Sequence, residues 1–420
     1  MRLTRDSSVR HARPTVEGAR DAAHLRRLNL ERVLAAAMAR EGPFTRSELI
    51  DATGLSAPTV GSLANSLIRE GLLTDLGSGP SRGGRRPGHM EFNRRHGFVA
   101  AIDLGPTRTR LAVADLRGEL VLRRVVNTPE DKEPGALLNT LADEMRELLR
   151  AANVPFSRLL AIGAGAPGAV DPATGTIIAV APNLPGWNHV PVAAILRTAL
   201  GAPVVVENDV NLAVLGEHWK GAAREHDNCV FLSFGTGIGA GILVNGHLHH
   251  GHHALAGEIG LMCMGPQFVN VDFVARGCLE TLAGLGALRA RWRRSNDAAD
   301  WLPELFRAAA EGDRDAQTIV EEVSTLVGIA AANVSCVIDP SLVVLGGALG
   351  MQGEPLLRRV QQIVGRIMPT PPAVVASDLD KDAPLWGSLL VAMGEARERV
   401  RRQLGRRPPR ESVKKGASAS

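Results

Sequence analysis

Residues 230–248 read VFLSFGTGIGAGILVNGHL: an apolar run, a turn with four glycines, and a second apolar run. Short apolar runs bounded by glycine read as buried strands, so this stretch predicts a strand–turn–strand hairpin. The same device opens at residue 98, where FVAAIDLGPTRTRLAVADL turns at Gly105 and Pro106 between two apolar runs. Further strand signals lie in LLAIGAGAPG (159–168), TIIAVAP (176–182) and APVVVEND (202–209), with a helical pattern near 135–151. Two such hairpins in an alternating strand–helix body predict a duplicated α/β core with a cleft between its halves. A glycine turn between strands can hold a phosphate on backbone amides, unlike the strand–loop–helix of a Rossmann or P-loop site. Taken alone, GTGIGAG is equally compatible with a plain tight turn.

With 420 residues, 45% hydrophobic and 22% charged, the chain has the composition of a globular protein of two or three domains. Its four cysteines, at 229, 263, 278 and 336, are too few and too scattered for a disulfide framework. MRLTRDSSVR lacks the apolar run of a signal peptide, and a cytoplasmic location without a membrane partner is expected. The net charge of +4 hides an asymmetry. Residues 1–96 carry 16 basic and 10 acidic groups, residues 97–394 carry 23 and 31, and residues 395–420 carry 9 and 3. Basic ends around an acidic middle suit a nucleic-acid contact at one end of an enzyme-like body. Residues 395–420 read as a helix end running into a disordered basic tail.

Residues 1–23 are expected to be a flexible arm. Leu30, Val33, Leu34, Ala37 and Met38 then form the stripe of an amphipathic helix. Thr45 and Glu48 make a capping-box pattern for a second helix, Gly54 a turn, and Ser56 a cap for a third with Val60, Leu63, Leu67 and Ile68 inward. That order predicts a winged helix-turn-helix over residues 24–80, with wing and linker at 81–96. Its third helix would meet base edges through Pro58, Thr59, Ser62 and Ser66. Arg82, Arg85 and Arg86 on the wing would supply phosphate contacts or enter a narrow minor groove.

DLGPT (103–107), END (207–209), GTGIGAG (235–241), GEIG (257–260), GCLE (277–280) and VVLGGALG (343–350) occur in this order. Together they resemble the ROK family of repressors and sugar kinases. The resemblance implies a two-lobed actin/hexokinase-like (ribonuclease H-like) α/β body over residues 97–394, hinged near 209 and 385. It implies sugar binding by Asn208, Asp209, Glu258 and Glu280, with Asp209 the catalytic base if the chain is a kinase. It further implies phosphate or nucleotide binding by Asp103, Gly105, Thr107, Gly235, Thr236, Gly237, Gly346 and Gly347.

Two departures matter. The family's first phosphate loop reads DxGGT, whereas here Pro106 replaces the second glycine and offers no N–H. The family's zinc ligands, a histidine after GEIG and three cysteines, correspond to Leu261, Val271, Phe273 and Cys278. One thiol cannot make a tetrahedral site, so no metal is expected, and the three apolar residues are expected to form a small cluster in its place. His247, His249, His250, His252 and His253 are expected to form a solvated loop. The expected function is a sugar-responsive DNA-binding regulator, with operator DNA and a sugar or sugar phosphate as partners. It is expected to be a homodimer or homotetramer and to require no cofactor. The alternatives are an ATP- and Mg²⁺-dependent sugar kinase carrying a DNA-binding domain, and a protein-binding regulator whose sugar cleft is vestigial.

Overall fold

The computed structural model describes residues 16–78, 88–179, 186–273, 276–292 and 301–406. The chain divides into two compact units, Met1–His96 with Arg397–Ser420, and Gly97–Ala396. The boundary near residue 396 falls inside a continuous helix ending at Arg406, so the expected tail begins as ordered helix. Likewise the first helix starts at Val16, inside the stretch expected to be an arm.

In the first unit, α1 (Val16–Met38), β1 (Phe44–Thr45), α2 (Arg46–Thr53) and α3 (Ala57–Arg69) precede β2 (Leu73–Ser78) and β3 (Gly88–Phe92). Thr45 and Glu48 form the capping box: the Thr45 N–H donates to Glu48 Oε2 (2.7 Å) and the Glu48 N–H to Thr45 Oγ1 (3.3 Å). Gly54 ends α2 at φ 65°, which glycine adopts without steric cost. Val60, Leu63, Ala64 and Leu67 of α3 are buried with Leu30, Val33, Leu34 and Ala37 of α1; Ile68 is only half-buried. The strands form an antiparallel sheet in the order β1-β3-β2. This is a winged helix-turn-helix, whose wing tip, with Arg82, Arg85 and Arg86, lies outside the described residues.

The second unit carries two sheets of matching topology. Strands β4 (Phe98–Leu104), β5 (Arg108–Asp115) and β6 (Leu120–Asn127) form an antiparallel meander. After α4 (Pro134–Ala151), β7 (Leu159–Ala166) pairs parallel to β4. The small hairpin of β8 (Ala169–Asp171) and β9 (Thr176–Ala179) leads to α5 (Val192–Leu200), and β10 (Val204–Asn208) then pairs parallel to β7. Central strands β4 and β7 are buried throughout because both faces are covered, and β6 at the edge alternates with solvent.

Helix α6 (Asp209–Lys220) leads to the second sheet. There β11 (Cys229–Phe234), β12 (Ile238–Val244) and β13 (His247–Leu248) repeat the meander. Helices α7 (Cys278–Ala283), α8 (Leu285–Arg291), α9 (Trp301–Ala310) and α10 (Arg314–Ile338) follow. Then β14 (Leu342–Gly346), α11 (Gly347–Gly350), α12 (Glu354–Ile367), β15 (Ala373–Ala376) and α13 (Ala383–Arg406) complete the described fold. The orders β6-β5-β4-β7-β10 and β13-β12-β11-β14-β15 are equivalent, three antiparallel strands extended by two parallel ones. This is the duplicated α/β core expected of the two hairpins. Helix α10 is long and apolar enough to cross a bilayer by length and composition, but Val323, Val327, Ala330, Ala331 and Val334 bury it in the second core.

Glycines bring three elements into backbone contact. A Cβ on Gly216 of α6 would overlap the Ala383 carbonyl oxygen, one on Gly387 of α13 that of Leu212, and one on Gly163 of β7 that of Ser388. Beside this crossing, fully buried Glu217 accepts hydrogen bonds from the Ser377 hydroxyl, the Leu379 N–H (3.0 Å) and the Ala222 N–H (2.7 Å).

Candidate functional site

A cleft of about 560 Å³ lies between the two sheets of the second unit. The turns predicted from the two hairpins form part of its wall, through Gly105 and Thr107 on one side and Gly235, Thr236 and Gly237 on the other. The first turn is pinned from outside: Thr128 Oγ1 donates to the Gly105 carbonyl (2.8 Å) and the Thr128 N–H to the Thr107 carbonyl (2.9 Å). In the second, the Gly235 N–H donates to the Gly237 carbonyl (3.0 Å).

The four carboxylate or amide residues expected to bind a sugar do line the cleft: Asn208, Asp209, Glu258 and Glu280. Asn208 is already engaged. Its side-chain oxygen caps α6 on the N–H groups of Val210 (2.9 Å) and Asn211 (3.0 Å), and its Nδ2 donates to the Gly168 carbonyl (2.9 Å). Asp209, the first residue of α6, is pushed up to about 7 by burial, then by the charges of Asp103 and Glu258, against the Val210 N–H that favours its anion. Glu258 is carried on a loop held to β12 by the Ala240 N–H on the Gly257 carbonyl (2.7 Å). A Cβ on Gly257, at φ 94°, would overlap the Ala240 carbonyl, so only glycine allows this approach. Glu280, in the first turn of α7, accepts the Ile238 N–H at 3.0 Å. Burial raises the pKa of both glutamates, with Glu280 adding to Glu258, and Ile238 and Arg276 opposing the rise at Glu280. Such a group of carboxyls, with backbone donors beside them, can exchange hydrogen bonds with a polyhydroxylated ligand in either protonation state.

Other expected site residues stand elsewhere. Gly346 and Gly347 do not line the cleft; they pack on β11, where a Cβ would overlap the Phe231 ring and the Phe234 backbone respectively, and Ala348 takes the wall position. Asp103 is 4% exposed behind the first turn, its Oδ2 accepting Arg110 Nη1 at 3.2 Å. Burial pushes its carboxyl up to about 6 despite Arg110. These residues do not fit a metal-bound phosphate donor: the carboxylate is held by a guanidinium, and Pro106 has no N–H to turn toward a phosphate.

The positions corresponding to the family's zinc ligands supply one buried thiol, Cys278, and no imidazole, a donor set that does not fit tetrahedral zinc. The expected apolar cluster is corrected. Leu261 and Val271 are 59% and 49% exposed, and the ring contact in this loop is Phe268 with Phe273, centroids 6.0 Å apart. The loop is closed by backbone instead, with Gly277 at φ 81° pressed on Gly260 and Leu261. The solvated-loop reading also fails for one histidine. His250 is half-buried and lies 2.7 Å from Glu207 Oε2.

In the first unit, Pro58 and Ser62 of α3 are exposed, and Thr59 and Ser66 are half-buried. Ser56 makes no side-chain cap and instead pairs its hydroxyl with that of Thr59 (2.9 Å). Sequence reasoning missed Arg46, whose Nη2 donates to exposed Asn65 of α3 (2.8 Å) and adds a cation beside that helix. It also missed Arg108, Arg110 and Arg276 in the cleft wall. The alternation of arginine at 108 and 110 on a strand was the available signal.

The ROK family profile matches residues 99–395. The chain is 29% identical to the xylose repressor of Caldicellulosiruptor bescii over 336 residues, covering 77% of this chain and 84% of the repressor. It is 31% identical to the glucokinase of Thermotoga maritima over 309 residues, 69% of this chain and 95% of that enzyme. A solved ROK family transcriptional regulator, described as a homolog of the E. coli MLC protein, superposes with a TM-score of 0.73 at 23% identity, covering 91% of this chain and 99% of that one, and shares the fold. On these residues and this fold, the chain belongs to the ROK family.

Proposed function

We propose that this protein is a sugar-responsive transcriptional repressor of carbohydrate-metabolism genes, acting in the cytoplasm as a homo-oligomer on operator DNA. One observation carries the reading: a winged helix-turn-helix and a carboxylate-lined cleft occur in a single chain. The similarity to repressors named for xylose supports it. A sugar would bind at Asp209, Glu258 and Glu280, and a difference in its affinity between DNA-competent and DNA-incompetent states of a few kcal/mol suffices to shift the population.

A second reading, a sugar kinase, is favoured by the Asp209 carboxyl near 7, a value suited to a general base. The Arg110–Asp103 pair and Pro106 count against it.

The test is binding of the purified protein to labelled DNA from upstream of its own gene, at fixed salt, with sugars and sugar phosphates titrated in. Tight binding released by one compound supports the repressor, and Glu258→Gln or Glu280→Gln should lose that release while keeping DNA affinity. Steady ATP consumption with a sugar, and no specific DNA binding, would replace it with the kinase.

A further inference from the structure

The first turn of the cleft borders a second cavity of about 160 Å³, and its walls are basic: Arg108, Arg110, Arg123, Arg124 and Lys381, with Asp382 as the carboxylate. Arg108 and Arg110 line both spaces. Their placement follows from the strand. Residues two apart on β5 share a face, and Thr109 between them is fully buried on the other. The register pairs Ala112 of β5 with Arg123 of β6, which brings Arg123 to the same face.

Two carboxylates answer these cations. Asp103 accepts Arg110 at 3.2 Å, and Asp382 meets Arg110 Nε at 3.6 Å and Arg123 Nη1 at 2.9 Å. Arg124 turns to Glu144 and Glu147 (both 3.4 Å). Arg108 and Lys381 are exposed and make no ion pair among the described residues. The face therefore holds an excess of positive charge directly beside a cleft that Asp209, Glu258 and Glu280 also line.

We propose that the wall formed by Arg108 and Arg110 is an anion subsite that works without a metal, in which these two side chains receive the phosphate of a phosphorylated sugar whose hydroxyls lie at Asp209, Glu258 and Glu280. The proposal rests on the sugar-sensor reading and narrows its ligand to a sugar phosphate monoester. Planar guanidinium forks match phosphate oxygens two at a time and carry their charge at every physiological pH. Asp103, the carboxylate a divalent ion would need, is neutralised in place by Arg110.

The experiment is titration calorimetry on the full chain in EDTA, first with inorganic phosphate, then with aldoses and their phosphate monoesters, and last with ADP plus Mg²⁺. Inorganic phosphate should bind saturably, without Mg²⁺, and about tenfold more weakly to Arg108→Ala, which removes an exposed side chain and leaves the fold intact. Arg110→Lys, which keeps the pairing with Asp103 but loses the fork, should also weaken it. At least one phosphate monoester should bind more tightly than both its parent sugar and free phosphate.

No saturable phosphate binding, a requirement for Mg²⁺, tighter binding of ADP–Mg²⁺ than of every sugar phosphate, or an unchanged affinity in Arg108→Ala would each overturn the subsite. Failure of the sensor reading looks different. Phosphate would still bind through Arg108, while neither sugars nor their phosphates changed operator binding.

Discussion

His250 Nε2 lies 2.7 Å from Glu207 Oε2, joining a histidine-rich loop to the buried end of β10. The other Glu207 oxygen accepts the Asn208 N–H (2.8 Å) and Asn211 Nδ2 (3.0 Å), so one carboxylate organises the turn that presents Asp209. Through the Ala256 N–H on the His250 carbonyl (3.1 Å), the same histidine also holds the loop leading to Glu258.

The bond to Glu207 raises the His250 pKa above its ordinary 6.5. A group raised by folding adds stability that is complete below its unfolded value and fades as pH climbs through the folded one. Wild type should exceed His250→Gln by about 1 kcal/mol below pH 6.5, shrinking as pH rises. Thermal unfolding of both proteins across pH checks this, and a gap that widens with pH would contradict it.

Asp209 follows the same pH trend but as a penalty on the fold, because its raised value of about 7 reflects burial and neighbouring carboxylates without a cation. At low pH the carboxyl is neutral in both states; at high pH the folded protein must carry a confined charge. Asp209→Asn should therefore be more stable than wild type at pH 8 by about 1–3 kcal/mol, and the difference should vanish toward pH 4. Urea unfolding at the two pH values measures it.

Glu217 is fully buried, so its hydrogen-bond partners do not reach bulk solvent through it. Glu217→Ala strands the Ser377 hydroxyl and the N–H groups of Leu379 and Ala222, at a cost of about 3 kcal/mol. Glu217→Gln keeps an acceptor and should cost clearly less. Denaturant midpoints of the two variants, with unchanged slopes, are the readout.

Two glycines on α13 give a controlled comparison. Gly387→Ala places a Cβ into the Leu212 carbonyl and should destabilise by about 1–3 kcal/mol. Gly394→Ala meets nothing within 4 Å and should be neutral or stabilising by up to about 1 kcal/mol. Equal effects of the two would show that the crossing tolerates separation.

The duplicated sheets were legible because glycine turns between apolar runs leave a period that needs no tertiary information. The helix-turn-helix was legible for a similar reason, since Thr45, Glu48 and Gly54 act through local hydrogen bonds and backbone angles. What escaped was non-local. The pairing of Asp103 with Arg110 follows once the hairpin register is known, but nothing near residue 250 points to Glu207, 43 residues away. Gly346 and Gly347 carried a motif, yet the bulk of Phe231 and the Phe234 backbone decide their placement. Leu261 and Val271 had the composition of a cluster, but backbone closure at Gly277 had already fixed their loop.

Among the described residues, the first compact unit joins residues 16–96 to residues 397–406, on the far side of the cleft-bearing body in sequence. Synthesis runs from the N-terminus, so the helix-turn-helix emerges first, yet residues 397–406, which belong to its unit, follow only after the entire cleft-bearing body has been translated. A nascent or truncated chain can thus possess the complete cleft while its other unit still lacks a part. The order of manufacture itself delays the finished unit until the part that would govern it exists.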